Sequence, residues 1–229
     1  MAFYPIRRAR LSQPRGDGID WANKFARGLI YAFNGATGRD EVSGRPATNV
    51  KKAVCAAGVG HNVSGAADVA LVSGVSMKAT DAITLFALLD HPQPNGAWAG
   101  MIGKTDDYNS TGTRIGMGFD AVNYLSLNHP VSNYTISASA LWNLSGKHSY
   151  AAVLDGTSAS GYVDGVFDAS TTVTASTIPA NNDAWRVGSY NGSFDENCIG
   201  KHLLHLVWPR ALGANEIKAL HANPWQVFL

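Results

Sequence analysis

From residue 82 onward the chain repeats one local pattern, a strand-length run of apolar and β-branched residues cut off after a few positions by Gly, Asn, Asp, Ser or Pro. Between those runs no stretch carries apolar residues at helical spacing. The pattern therefore predicts many short strands and excludes a helical bundle or a regular strand–helix alternation. Residues 82–90 form the longest run, with Ile83, Leu85 and Leu89 on one side and Phe86 and Leu88 on the other. Burial on both faces marks a central strand. Further runs at 28–34, 98–102, 114–119, 124–127, 134–138, 148–154, 161–163, 185–189 and 202–208 complete an all-β reading, a two-sheet antiparallel sandwich.

Composition agrees. Only 15% of residues are charged while 45% are hydrophobic, which suits strands joined by turns and supplies enough apolar surface for one core. The net charge of +1 gives no overall attraction to nucleic acid or to a membrane surface. No apolar run is long enough to span a bilayer, and Met1 to Pro5 leads into arginines without the apolar core of a secretory leader. The charge is unevenly placed. Residues 1–30 hold Arg7, Arg8, Arg10, Arg15, Lys24 and Arg27 against Asp17 and Asp20, and Pro5, Pro14 and residues 16–18 break any regular pattern. Residues 1–27 thus read as an extended arm that either docks on a partner or is solvated, followed by one domain over 28–229. Cys55 and Cys198 are far apart, and without a leader the expectation is two buried thiols.

One helix is expected over 214–221, with Gly213 at the N-cap, Glu216 reaching back to the free backbone N–H groups, and Asn223 and Pro224 as the stop. Trp225, Val227, Phe228 and Leu229 are too apolar for a free tail and are expected to dock. Asp164 and Gly165 fit a two-residue hairpin turn, and Arg210 is placed to pair with Glu216 and pin the helix.

Several of these segments resemble the concanavalin A-like, laminin G-like jelly-roll domains. Residues 28–34 (GLIYAFN) and 42–44 look like that family's opening strand and loop. Residues 82–89 and 101–104 look like its next central strands, 147–156 and 161–165 like its paired hairpin strands, and 184–188, 199–200, 208–212 and 216–217 like its closing strand and helix. The resemblance runs from about residue 28 to the end. It departs at Gly213, where the family usually has Ser or Thr, and at Lys201, where it commonly has Asp. The segments 18–23 (GIDWAN) and 223–228 (NPWQVF) look like stand-alone laminin G-like proteins of tailed bacteriophages and prophages. That resemblance implies a virion protein assembled in the bacterial cytoplasm, a capsid decoration or head or tail accessory present in symmetric copies, with other virion proteins as partners. A lectin-like adhesin for host surface glycan is the alternative.

Catalysis is not expected. Of three glutamates, Glu41 lies in a Gly/Pro loop, Glu196 adjoins Asp195, and Glu216 is in the helix, so no pair has the same-face spacing that glycoside hydrolysis needs. His202 and His205 are three apart, which in a strand points them to opposite faces and gives no transition-metal site. Laminin G-like domains often hold calcium at a loop rim, and Asp106, Asp107 and Asn109 form the densest oxygen cluster for it. Trp98 and Tyr108 are the candidates to stack on a sugar ring.

Overall fold

The computed structural model describes residues 18–50, 54–56, 60–63, 69–95, 98–104, 114–130, 132–138, 141, 145–174, 177–189 and 197–228. They form an antiparallel sandwich of two layers. The first layer runs in the order Arg39–Asp40, Tyr31–Asn34, Asn197–Trp208, Ala82–Asn95, Lys147–Asp155, Ser158–Val163, Val166–Thr172. The second runs Thr48–Val50, Val69–Val72, Trp185–Val187, Ala99–Lys104, Ile115–Phe119, Leu125–Asn128, Asn133–Thr135. A single parallel bridge between Asn197 and Gly100 joins the two ladders.

The alternation read from the sequence decides what fills the space between the layers. Ile83, Leu85, Ala87 and Leu89 point into it with Met117, Phe119, Leu127, Tyr150 and Trp185. Tyr31 of the first layer stacks on Trp185 of the second at 5.0 Å, and Phe119 meets Tyr150 edge-on at 5.5 Å. Gly161 lets the layers close at one edge, because a Cβ there would lie 1.9 Å from the Ile136 carbonyl oxygen.

The other face of the first layer carries a second core. Phe86, Leu88, Leu204, Leu206 and Trp208 are covered there by Ile217 and Leu220 of the helix Ala214–Ala222 and by Trp225, Val227 and Phe228. Residues 18–27, read from the sequence as part of an extended arm, belong to this core. Ile19, Phe25 and Ala26 are buried, Ile19 bridges Phe228, and the buried Trp208 indole donates to the Phe25 carbonyl at 2.8 Å. Three apolar side chains at 19, 25 and 26 outweigh the turn residues around them. Arg7, Arg8, Arg10 and Arg15 lie outside the described residues.

The helix starts as expected. Gly213 has no side chain to cap it, but its own N–H donates to Glu216 at 3.0 Å, and Arg210 grips both Glu216 oxygens at 3.0 and 3.2 Å. That bond is the main reason the Glu216 carboxyl sits below the ordinary carboxylate range. A depressed folded pKa stabilises the fold above the unfolded value and loses that contribution as pH falls through the folded one. Glu216→Gln is therefore expected to cost no more than about 1 kcal/mol at neutral pH, since the pair is a third exposed, and to remove part of the acid-side slope of Tm against pH. Asp164 and Gly165 form the predicted turn with φ of 51° and 76°.

Candidate functional site

The hairpin Lys147–Asp155 and Ser158–Val163 builds one side of a cleft. Asp155 pairs with Ser158, Val153 with Ser160, and Ala151 with Tyr162, so all six face outward from the sandwich. The turn between them uses Gly156 at φ 57°, and the Gly156 N–H is held by the Asp81 carbonyl at 3.0 Å.

The opposite wall is residues 211–213, the chain between the last strand and the helix. Thr84, the cross-strand neighbour of Val153, fixes this wall from below. Its buried hydroxyl donates to the Arg210 carbonyl at 2.8 Å and accepts from the Leu212 N–H at 2.9 Å. Between hairpin and wall lies an open cleft of about 310 Å³, lined by Val153, Asp155, Ser158, Ser160, Tyr162, Ala211, Leu212 and Gly213.

Its chemistry is mixed in a specific way. The base is apolar, with Val153, Tyr162 and Leu212 buried. Asp155 and Ser158 are exposed and Ser160 is half-buried. Phe167 stands beside Tyr162 edge-on at 5.7 Å and is 52% exposed. Burial raises the Tyr162 phenol above its ordinary range, so the hydroxyl stays protonated. The cleft thus offers hydroxyl groups and one carboxylate above an aromatic and aliphatic floor. That combination is chemically complementary to polyhydroxylated rings, whose faces are apolar and whose edges donate and accept.

Two other polar clusters hold elements of the fold together. Asp164 accepts from the Ser149 N–H at 3.0 Å and from His148 Nδ1 at 2.8 Å, and the Ser149 hydroxyl meets His221 Nδ1 at 2.9 Å. The trio Ser149, His221 and Asp164 does not make a proton relay. Ser149 is buried, and it meets the same imidazole nitrogen that faces Asp164 at 3.9 Å. It ties the helix end to the hairpin. Lys104 is fully buried at one end of the main core, where its ammonium donates to the carbonyls of Val75 and Asp183 and lies 5.3 Å from the Trp185 ring centre.

His202 and His205 require a correction. The sequence spacing predicts opposite faces, but the strand shifts register between His202 and Leu204, and the two rings stack at 5.1 Å on one side. The inserted residue reverses the alternation beyond it. His202 Nε2 donates to the Cys198 carbonyl at 2.8 Å, which leaves its Nδ1 to accept from His205 Nε2 at 2.9 Å. Among the described residues no group of three or more His, Cys, Asp or Glu is placed to hold a metal ion. Cys198 is a free thiol, fully buried, and burial pushes it up to about 12. In a Cys55→Ser variant, Ellman's reagent is expected to detect no thiol until the protein is unfolded. A fast-reacting thiol in the native protein would contradict this placement.

Trp98 is half-buried at the start of Ala99–Lys104 in the second layer and does not line the cleft. Tyr108, Asp106, Asp107 and Asn109 lie outside the described residues. None of the four cleft side chains Asp155, Ser158, Ser160 and Tyr162 stood out in the sequence. They come together only through the hairpin register. No helix among the described residues is long and apolar enough to cross a membrane.

The model of the Concanavalin A-like lectin/glucanases superfamily matches residues 64–218. No curated protein sequence matches the chain. Solved structures do. A Trypanosoma rangeli sialidase in complex with 2,3-difluorosialic acid aligns over 88% of this chain and 33% of its own, at 15% identity and a TM-score of 0.61. The chain therefore spans about a third of the length of that sialidase. Domain 4 of an extracellular arabinanase from Geobacillus stearothermophilus, in complex with arabinotriose, aligns over 84% of this chain and 98% of its own, at 14% identity and a TM-score of 0.58. The binding domain of botulinum neurotoxin serotype G aligns over 85% and 50%, at 13% identity and a TM-score of 0.58. At these identities the likeness is one of fold.

Proposed function

The chain belongs to the concanavalin A-like lectin/glucanase superfamily, and from that premise we propose that it is a non-catalytic carbohydrate-binding module. The observation that carries the reading is the cleft, where Asp155, Ser158 and Ser160 present polar groups above a floor of Val153, Tyr162 and Leu212. None of those three polar side chains is engaged by another described residue, so each is available to a ligand. The arabinotriose complex of the arabinanase domain, which this chain spans almost whole, adds support for a sugar ligand.

Among the described residues Asp155 is the one carboxylate in the lining, whereas cleavage of a glycosidic bond ordinarily takes two facing carboxyl groups. This favours binding over hydrolysis. Tyr162→Ala is expected to weaken binding of the best oligosaccharide from a glycan array by about tenfold or more. Tyr162→Phe should retain most of it, because the ring face is the main contact. Equal binding by wild type and Tyr162→Ala in titration calorimetry would remove the cleft from the proposal.

A second reading is a bacteriophage virion component, a capsid decoration or head or tail accessory. It is favoured by the two end segments that resemble phage proteins, which form one unit in the fold. The Asp20 N–H donates to the Val227 carbonyl at 2.9 Å and Asn23 donates to the Gln226 carbonyl at 2.6 Å. The two readings are compatible, since a decoration protein can carry a glycan site. Quantitative mass spectrometry of purified particles tests it. A copy number near that of the major capsid protein is expected, and absence from particles would discard the virion role.

A further inference from the structure

The cleft continues beyond its own walls. The edge strand Val166–Thr172 extends the outward face of the hairpin by one more column, pairing Thr172 with Ser158, Ser170 with Ser160 and Phe167 with Tyr162. The outward face is therefore a grid of three rungs. Asp155, Ser158 and Thr172 make the first, Val153, Ser160 and Ser170 the second, and Ala151, Tyr162 and Phe167 the third. Its columns lie about 4.8 Å apart and its rungs about 6.7 Å apart. From the Asp155 rung to the Tyr162 rung is thus about 13 Å. Ala151, Val153 and Tyr162 are buried, but Ser158, Ser170, Thr172 and Phe167 are exposed, so the face is open along the edge strand, whose third rung is reached across a bulge.

The charge at its first rung is acidic. Among the described residues Asp155 is the only charged group in the lining, and the exposed Asp81 adjoins it at the turn. Arg210 is gripped by both oxygens of Glu216 and Lys24 lies over the Phe25 ring at 4.9 Å, while the exposed Lys218 stands beside Gly165, past the third rung. At the Asp155 end, where no described lining residue is a cation, Asp155 repels a sugar carboxylate.

Resting on the carbohydrate reading above, we propose that the ligand is a short linear run of uncharged sugar residues lying along the strands, its hydroxyls over Ser158, Ser160, Ser170 and Thr172 and one ring against Tyr162 and Phe167. A terminal anionic sugar, such as the sialic acid derivative bound by the sialidase to which the fold is similar, does not suit this surface. The length of the grid gives a chain-length preference, because a single ring covers one rung and a longer chain reaches all three.

The test is titration calorimetry of the full chain with the disaccharides and tetrasaccharides of linear neutral series (cellulose, xylan and arabinan types), with 3′-sialyllactose and a galacturonate oligomer as anionic probes. Each neutral tetrasaccharide that binds is expected to do so about tenfold more tightly than its disaccharide, the equivalent of one or two further hydrogen bonds. The anionic probes should bind worst. A Ser170→Val, Thr172→Val double variant should bring the tetrasaccharide-to-disaccharide ratio towards one, with circular dichroism and Tm reporting that the fold is kept. If an anionic probe binds best, or affinity is independent of chain length, this inference fails while the carbohydrate reading stands. If no probe in this set and no glycan on an array binds, both fail together.

Discussion

Gly161→Val is expected to cost about 3 kcal/mol or more of stability. The Cβ that valine brings would overlap the Ile136 carbonyl oxygen at 1.9 Å, and the same Cβ would also crowd the Ile136 Cγ1 at 3.1 Å. Neither group can step aside cheaply. Ile136 is fully buried, and its N–H is bonded to the Leu125 carbonyl at 2.8 Å, which anchors it to the second layer. Gly161 is held in turn between two strands of the first layer by its pairing with Ala152 and Ala169. The clash is therefore relieved only by parting the layers at that edge. For a chain of this length 1 kcal/mol moves Tm by about 2–4 °C, so a drop of roughly 6 °C or more is expected in a thermal melt. A Tm within two degrees or so of wild type would mean that the layers separate there without cost. Gly161→Ala serves as the milder case and should lie between the two.

Trp208→Ala is expected to cost about 3–5 kcal/mol and to do so in two separable ways. The fully buried indole fills the second core between Leu206, Ile217 and the N-terminal segment, and its Nε1 donates to the Phe25 carbonyl. Losing the ring opens a cavity. Losing the hydrogen bond frees the backbone of residues 18–29 from the sheet. Lys24 and Arg27 are exposed in that segment, so limited trypsin digestion reads the second effect directly. Faster cleavage at these two positions, at a temperature where the rest of the domain stays folded, is the expected result. A lowered Tm with unchanged cleavage would show that Trp208 supports the sheet alone, and that Ile19, Phe25 and Ala26 hold the segment without it.

The parts of the fold that local chemistry dictates were legible. Residues 83–89 alternate strictly, and each side chain goes to the face its parity assigns. Asp164 and Gly165 fill positive-φ positions that few other residues tolerate, and Glu216 caps the helix whose first turn it occupies. What was illegible depends on register. A one-residue shift near residue 203 places His202 and His205 together, and nothing in the sequence around them announces it. The docking of residues 18–27 is equally hidden, because they have the composition of a loop and only the surface they meet, with residues 225–228, turns three of their side chains into core. The cleft belongs to the same class. Asp155, Ser158 and Ser160 are ordinary residues beside a turn, and they converge because the hairpin pairs them and Thr84 pins the facing wall.

The bridge between Ile19 and Phe228 brings the two ends of the described chain side by side. A unit whose entry and exit points adjoin can be spliced into a surface loop of another polypeptide, or strung in tandem, without straining its own framework. A circular permutant that joins the region before Ile19 to the region after Phe228 by a short flexible linker, and opens in an exposed turn such as Gly156–Thr157, follows from the same geometry.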